Sequence, residues 1–190
     1  ISDHTHGLGI AAGLDVDQLR KQRTEIERLN SAFSRFRLLR GAEVEVHADG
    51  TLDYPDAVLE ELDFVIAAIH SALRQDRETI TGRAIRAMRN PHVDVLAHPS
   101  GRLPGHREAS DIDLEMVLQV AAETGPILEV NAHRLDLDDV PVRRAVELGV
   151  PLSIVSDAHT VATLETISYA VATARRGWAE PRHVVNTLPL

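Results

Sequence analysis

The sequence predicts an α/β fold in which a parallel, barrel-like sheet is wrapped by helices. Three observations carry this reading. Apolar segments alternate with amphipathic ones along the whole chain. The apolar segments are near-continuous, as in strands buried on both faces of a parallel sheet. Five of them end in residues that bind metals: Ile1-Ser2-Asp3-His4, Leu38-Leu39-Arg40-Gly41-Ala42-Glu43, Phe64-Val65-Ile66-Ala67-Ala68-Ile69-His70, Val93-Asp94-Val95-Leu96-Ala97-His98 and Ile154-Val155-Ser156-Asp157-Ala158-His159. Ionisable groups at the tips of buried strands cost several kcal/mol in order of magnitude unless something pairs with them. Barrels of this kind build their sites at the C-terminal strand ends. An open doubly wound sheet would gather its site at one switch point, and no dinucleotide glycine fingerprint is present.

The elements follow in order. A glycine-rich loop, Gly7 to Gly13, follows the opening pair, and Asp15 is placed to cap a helix with Leu19, Ile26, Leu29 and Phe33 at helical spacing. Arg37 to Val46 reads as a strand, and Ala48-Asp49-Gly50-Thr51 as a turn. Pro55 opens a short helix lined by Val58, Leu59 and Leu62. The strand Asp63–Ile69 and a helix from Glu78 to Met88 come next, the latter closed by Asn90-Pro91. The strand Val93–Ala97 leads into a polar, basic loop from Pro99 to Ser110. A helix is predicted over Asp111–Glu123, stopped by Gly125-Pro126. The strand Ile127–Val130 runs into Asn131, followed by a helix over Val140–Leu148 and the strand Val150–Val155. Helices over Ala162–Arg176 and Glu180–Asn186 complete the chain, read as one domain, residues 1–190.

Composition narrows the chemistry. The chain has no cysteine, so disulfides and thiolate ligands are excluded and any metal is held by nitrogen and oxygen. A formal charge of −9 argues against a surface that coats nucleic acid, although bound cations would reverse the sign locally. With one tryptophan and 3% aromatic residues there is no aromatic platform for base stacking. No apolar run approaches the roughly 20 residues of a membrane span, and no signal peptide is visible. A cytoplasmic protein is expected. Because Ile1 has no strand body before it, the expectation is an N-terminally truncated chain.

A lone histidine is ordinarily a satisfied core or surface residue. Several at equivalent strand ends, joined by carboxylates, read as a ligand set: His4, Glu43, His70, His98, Asp157 and His159. Glu45 shares a strand face with Glu43, and pattern alone does not choose between them. Asp3 is either a ligand or the partner of an imidazole's second nitrogen. His6 and His133 are ambiguous, whereas His47, His92, His106 and His183 read as ordinary residues. This sulfur-free donor set suits manganese or zinc, with iron a further option. Two or three such ions would lower the pKa of a bound water and clamp charge on phosphorus, the chemistry of phosphoester hydrolysis. Arg102 and Arg107 in the basic loop either grip a phosphate or are solvated, and the sequence weighs these equally. No Ser-His-Asp triad or P-loop is present.

In order and spacing, Ser2-Asp3-His4, Gly41-Ala42-Glu43-Val44-Glu45, Ile69-His70-Ser71, Leu96-Ala97-His98-Pro99 and Ser156-Asp157-Ala158-His159 resemble the polymerase and histidinol phosphatase (PHP) family. Asp49-Gly50-Thr51-Leu52-Asp53-Tyr54-Pro55, Arg134-Leu135-Asp136-Leu137 and Ala174-Arg175-Arg176-Gly177-Trp178 resemble the C-terminal PHP domain of bacterial family X DNA polymerases more closely still. The resemblance covers essentially the whole chain. It implies a distorted TIM-like (β/α)7 barrel, lacking here its first strand–helix unit and most of the second strand, roughly 35–40 residues by the length of a βα unit. It implies up to three divalent ions, manganese or zinc, held by His4, Glu43, His70, His98, Asp157 and His159. Glu43 would bridge two ions, His70 and His98 would complete one, Asp157 the other, and His4 with His159 would serve a third. The catalytic group would be a metal-bound water held by Glu43, His70, His98, Asp157 and His159. The implied activity is 3′–5′ exonuclease and phosphatase action in DNA repair, with DNA 3′ ends or a small phosphate ester as substrate and polymerase domains preceding this one.

Two departures temper this. The family's first His-x-His motif is absent, so weak or no nuclease activity is expected of the chain as given, and Asn131-Ala132-His133-Arg134 is about two residues shorter than the family's usual loop. The alternatives are a histidinol-phosphatase-type small-molecule phosphatase and an inactive scaffold or interaction domain.

Overall fold

A computed structural model describes residues 1–8 and 12–188. Six strands form one sheet in sequential order, β1 (Ser2–His4), β2 (Gly41–Glu45), β3 (Phe64–Ala68), β4 (Val95–Leu96), β5 (Ile127–Asn131) and β6 (Leu152–Val155). Every neighbouring pair is parallel. Helices connect them: α1 (Val16–Ala32), α2 (Asp56–Leu59), α3 (Arg77–Met88), α4 (Leu114–Thr124), α5 (Asp139–Leu148) and α6 (Ile167–Arg176). The alternation expected from sequence is therefore present. The sheet is strongly curled, because residues of both edge strands, β1 and β6, line one shared cavity. Among the described residues no ladder joins β1 to β6, so the barrel is open on that side.

The strands use their two faces differently. Ala42, Val44, Val65, Ala67, Leu96, Leu128, Val130 and Leu152 are buried beneath the helices, against Ile80, Met88, Val117, Leu118, Val142 and Ala145. The concave face instead carries Gly41, Ile66, Glu129, Ser153 and Val155 around the cavity. The expectation of strands buried alike on both faces holds only for the outer one, since the open side leaves the inner face partly uncovered.

Local chemistry sets the boundaries. Asp15 caps α1 as predicted, in a reciprocal capping box with Gln18. Asp76, Asp113 and Asp138 cap α3, α4 and α5, and α4 and α5 end at Gly125 and Gly149 in the left-handed conformation that glycine tolerates. Gly13 is needed where the chain returns past β1, since a Cβ there would lie 2.0 Å from the Thr5 carbonyl oxygen. The predicted glycine-rich loop otherwise includes residues 9–11, outside the described region. Four expectations are corrected. The strand foreseen from Arg37 begins only at Gly41, after a stretch in which the Asn30 amide binds the Leu38 backbone. Phe33 lies outside the α1 core, 51% exposed at the C-cap. The final segment forms two short 3-10 turns, Pro181–His183 and Val185–Thr187, rather than a helix, and the first turn of the preceding helix is likewise 3-10, Val161–Thr166.

The entries to β2 and β3 are tied together by Arg40, whose Nε and Nη2 donate to the two oxygens of Asp63 at 3.0 and 2.9 Å. These bonds hold the Asp63 carboxyl down at about 2 despite partial burial. A carboxyl lowered on folding contributes stability above its unfolded pKa of about 3.9, lost as pH falls through the folded value. Allowing for solvent screening, Asp63→Asn is expected to cost about 1 kcal/mol at pH 7. In urea melts the gap from the parent chain should close as pH falls toward 2; a gap independent of pH would contradict the assignment.

Candidate metal centre

The parallel register sets His4 directly beside Glu43 on the adjoining strand. His70, His98 and Asp157 each lie two residues beyond the ends of β3, β4 and β6, so their side chains turn over the same rim. The structure brings the predicted set together. Glu43 Oε1 lies 3.0 Å from His70 Nε2 and 3.1 Å from His98 Nε2, and its Oε2 lies 3.9 Å from His4 Nδ1. The imidazoles pack ring to ring, with centroids 5.2 Å apart for His4–His70, 5.1 Å for His70–His98 and 5.7 Å for His4–His159. Asp157 Oδ1 lies 3.6 Å from His159 Nδ1, and His159 is the most exposed of the six, 66% accessible at its side chain.

These residues fit a divalent cation. His4, Glu43 and His70 each offer one donor atom, all within 4.8 Å of one another. The nitrogens His4 Nδ1 and His70 Nε2 are buried without a hydrogen-bond partner. His70 Nε2 is thus close to Glu43 yet not aligned to bond it, a spacing suited to two ligands along one edge of a coordination shell. Burial works against an ionised Glu43, but the imidazoles of His70 and His98 hold it well below the usual carboxylate range. Burial likewise opposes a charge on His70, and Glu43 with Glu45 outweighs it, raising the imidazole to about 9. Burial lowers His4 despite Glu43 beside it.

Geometry also separates the two glutamates that pattern left equivalent. Glu45 lies behind His70, its Oε2 2.7 Å from His70 Nδ1, while Ser71 Oγ donates to its other oxygen at 2.7 Å and buried Arg83 lies 3.7 Å away. That is the arrangement by which a carboxylate fixes an imidazole's tautomer and leaves Nε2 free toward the site. Asp3 is turned away from the centre, its carboxylate bound by Gln22 of α1. His6 and His47 approach Asp53 rather than the centre, each at 3.5 Å, and His133 and His106 are exposed.

The main residues missed in sequence lie on β5. Glu129 and Asn131 are one pleat apart on the inner face, and both are buried. Glu129 Oε2 accepts the His98 backbone N–H at 2.9 Å. The Asn131 amide donates to Glu129 Oε1 and to Asp157 Oδ2, both at 3.1 Å. Burial, reinforced by Glu43, Asp136 and Asp157, pushes the Glu129 carboxyl well above its ordinary range. His98 and Asp157, the two residues this pair holds, both have positive φ, 26° and 53°. Such conformations cost a non-glycine residue about 1–3 kcal/mol and persist where surrounding structure enforces them. A lone glutamate in Ile127-Leu128-Glu129-Val130-Asn131, in phase with the terminal asparagine, was the available signal. Asp136, buried below the same rim, accepts the Ser100 backbone N–H.

No protein-family model matches the chain. It is 43% identical over its full length to the DNA polymerase/3′-5′ exonuclease PolX of Bacillus subtilis, covering 34% of that protein. A probable phosphatase of Thermoanaerobacter sp. is 34% identical over 64% of the chain, and one from Syntrophotalea carbinolica 27% identical over 79%. The chain spans about a third of that polymerase and 52% and 65% of those two phosphatases. These relatives bear out the resemblance that the motifs carry: the chain is homologous to part of a DNA polymerase/3′-5′ exonuclease PolX, with bacterial probable phosphatases as more distant kin.

Asn131→Leu removes the donor shared by the buried Glu129 carboxyl and the half-buried Asp157 carboxyl, and the acceptor that caps the His133 and Arg134 amides. Stranding these groups is expected to cost about 2–4 kcal/mol, several times a single neutral hydrogen bond. Urea unfolding of metal-free protein measures this, and a loss under about 0.5 kcal/mol would mean that the network holds nothing in place.

Proposed function

We propose that this chain, a relative of family X DNA polymerases and bacterial phosphatases, is a metal-dependent phosphoesterase acting on phosphoester bonds at DNA 3′ ends. The observation that carries the reading is Glu43, a half-buried carboxylate 3.0 and 3.1 Å from the imidazole nitrogens of His70 and His98. His4, Glu43, His70, His98, Asp157 and His159 are the proposed ligands. Divalent ions of the manganese or zinc type would supply Lewis acidity toward the phosphoryl oxygens and a nucleophilic water at neutral pH. The protein's own part is positional. Glu45 holds His70 in one tautomer, Glu129 holds the His98 backbone, and Asn131 holds Asp157. His159, at the exposed edge, stands where substrate would enter. The arginines of the Pro99–Ser110 loop are the proposed grip on substrate phosphate, although Arg102 already donates to the Leu135 carbonyl at 3.2 Å.

The names of the relatives support this choice, since one is a polymerase with 3′-5′ exonuclease activity and others are probable phosphatases. In a longer protein, polymerase domains would deliver the DNA end. The chain's place in the cytoplasm belongs to the same proposal; no described helix is long and apolar enough to cross a membrane. The phosphatase relatives favour a second reading, hydrolysis of a small phosphate monoester such as histidinol phosphate.

Metal content distinguishes the ligands from bystanders. His70→Ala and His98→Ala are each expected to lower the metal bound per chain after manganese or zinc loading and desalting, and His183→Ala to leave it unchanged. Equal metal content in all three would sink the ligand assignment. Substrate choice is read from kcat/KM on a 3′-phosphorylated oligonucleotide and on histidinol phosphate under the same manganese concentration. A higher value for histidinol phosphate would transfer the assignment to the second reading.

A further inference from the structure

Beside the ligand cluster stands a guanidinium for which the described residues supply no hydrogen-bond acceptor. The Arg134 side chain is 14% exposed, and its Nε is buried without a partner. Its nearest carboxylate oxygen is Asp157 Oδ2, 3.7 Å from Nε, too far for a hydrogen bond. No side-chain hydrogen bond of Arg134 is present among the described residues, although a guanidinium carries five N–H donors. A donor left buried and unmade costs more than an exposed one, so the vacant Nε at the edge of the site points to a ligand.

The backbone beneath this side chain is fixed. Asn131 Oδ1 accepts the His133 and Arg134 amides at 2.8 and 2.9 Å, and Leu135 N–H donates to the Asn131 carbonyl at 3.0 Å. Leu135 closes the turn with a φ of 48°. A second guanidinium comes from the basic loop, which docks on this turn where Arg102 donates to the Leu135 carbonyl at 3.2 Å. Arg107 is held by a two-way backbone pairing with Leu103 and donates its Nε to the Gly101 carbonyl at 2.8 Å, which leaves its terminal nitrogens free. Burial and then the charge of Arg134 push the Arg107 pKa down, so the two cations feel one another. Two like charges on adjoining segments, neither with a carboxylate in hydrogen-bond reach, are stabilised by an anion beside them.

We propose that Arg134, with Arg107 beside it, forms an anion subsite at the rim next to Asp157 that takes the phosphoryl oxygens of the substrate. This rests on the phosphoesterase reading and assigns a substrate-binding residue to it. Planar guanidinium suits a phosphoryl group because two parallel N–H donors match two of its oxygens. Asp157 offsets Arg134 in the absence of cations; once Asp157 serves a cation, the arginine's charge is free for substrate. Of the two loop arginines foreseen as a phosphate grip, the geometry favours Arg107, since Arg102 is committed to Leu135.

The test uses inorganic phosphate as the probe and isothermal titration of the whole chain, first loaded with manganese and desalted. Arg134→Ala is expected to weaken phosphate binding by about 10–100-fold, the range for losing a hydrogen bond to a charged group, with Arg134→Lys in between. Arg28→Ala, on the exposed face of α1, should bind like the parent. Unchanged phosphate affinity in Arg134→Ala, with its thermal melt unchanged, would overturn the proposal. So would a loss of bound metal in Arg134→Ala as large as that in His70→Ala, because Arg134 would then act only by positioning Asp157. If His70→Ala and His98→Ala left metal content unchanged while Arg134→Ala still lost phosphate, the metal assignment would fall and the anion subsite would stand.

Discussion

The site depends on one half-buried carboxylate that the sheet forces into the company of imidazoles. Glu43 sits mid-strand, where an unpaired charge would cost several kcal/mol, and only 12% of its side chain is accessible. A one-residue slip of β2 would send Glu43 and Glu45 under the helices and bring Ala42 and Val44 into the cavity, exchanging a filled outer core for a polar one. The apolar outer face therefore fixes the polar inner one. Hydrophobic burial of Ala42 and Val44 against α-helices supplies the energy, and placement of Glu43 between His70 and His98 is its consequence.

Around this carboxylate the charges are layered. Glu43 is inward and is met by imidazoles. Glu45, one pleat on, faces the far nitrogen of His70 and is itself met by Ser71 and Arg83. Arg83 is almost wholly buried, donating also to the Ser71 and Val46 carbonyls, so it ties the ends of β2 and β3 to α3. A carboxylate–imidazole–carboxylate–guanidinium series of alternating sign offsets much of the desolvation that each member would incur alone. It also leaves every flexible side chain with a single orientation, which a coordination shell requires.

The strand–helix alternation, the Asp15 cap and the strand-end placement of the proposed ligands were legible in the sequence because each follows from a local rule: apolar runs, Asp before a helix, and His or Glu at a strand end. The division of labour between Glu43 and Glu45 was not, since both occupy one face and only the position of His70 distinguishes them. Glu129 was hidden for a different reason. A glutamate in an apolar strand has no local rationale, and its partner is a backbone N–H 31 residues away. The Pro181–His183 and Val185–Thr187 turns were misread as a helix because Val184 packs against β6 while Asn186 bonds both backbone groups of Ile154. Tertiary contacts there outweigh a weak helical pattern, as short segments without their own hydrogen-bond register allow.

The backbone at the rim points the same way as the charges. His98 and Asp157 both adopt left-handed conformations that glycine would occupy at no cost, yet glycine at either position could supply no side chain to the site. A fold selected for stability alone would relax these two residues or replace them. Their retention is instead compensated by β5, where Glu129 takes the His98 amide and Asn131 takes the Asp157 carboxylate. One strand that contributes none of the proposed ligands thus holds two strained neighbours that do. Strain at two proposed ligands, held by a third element through buried hydrogen bonds, is the signature of a site whose geometry matters more than its stability. That is the strongest physical argument that this rim is built to act on something, independent of what any relative is named.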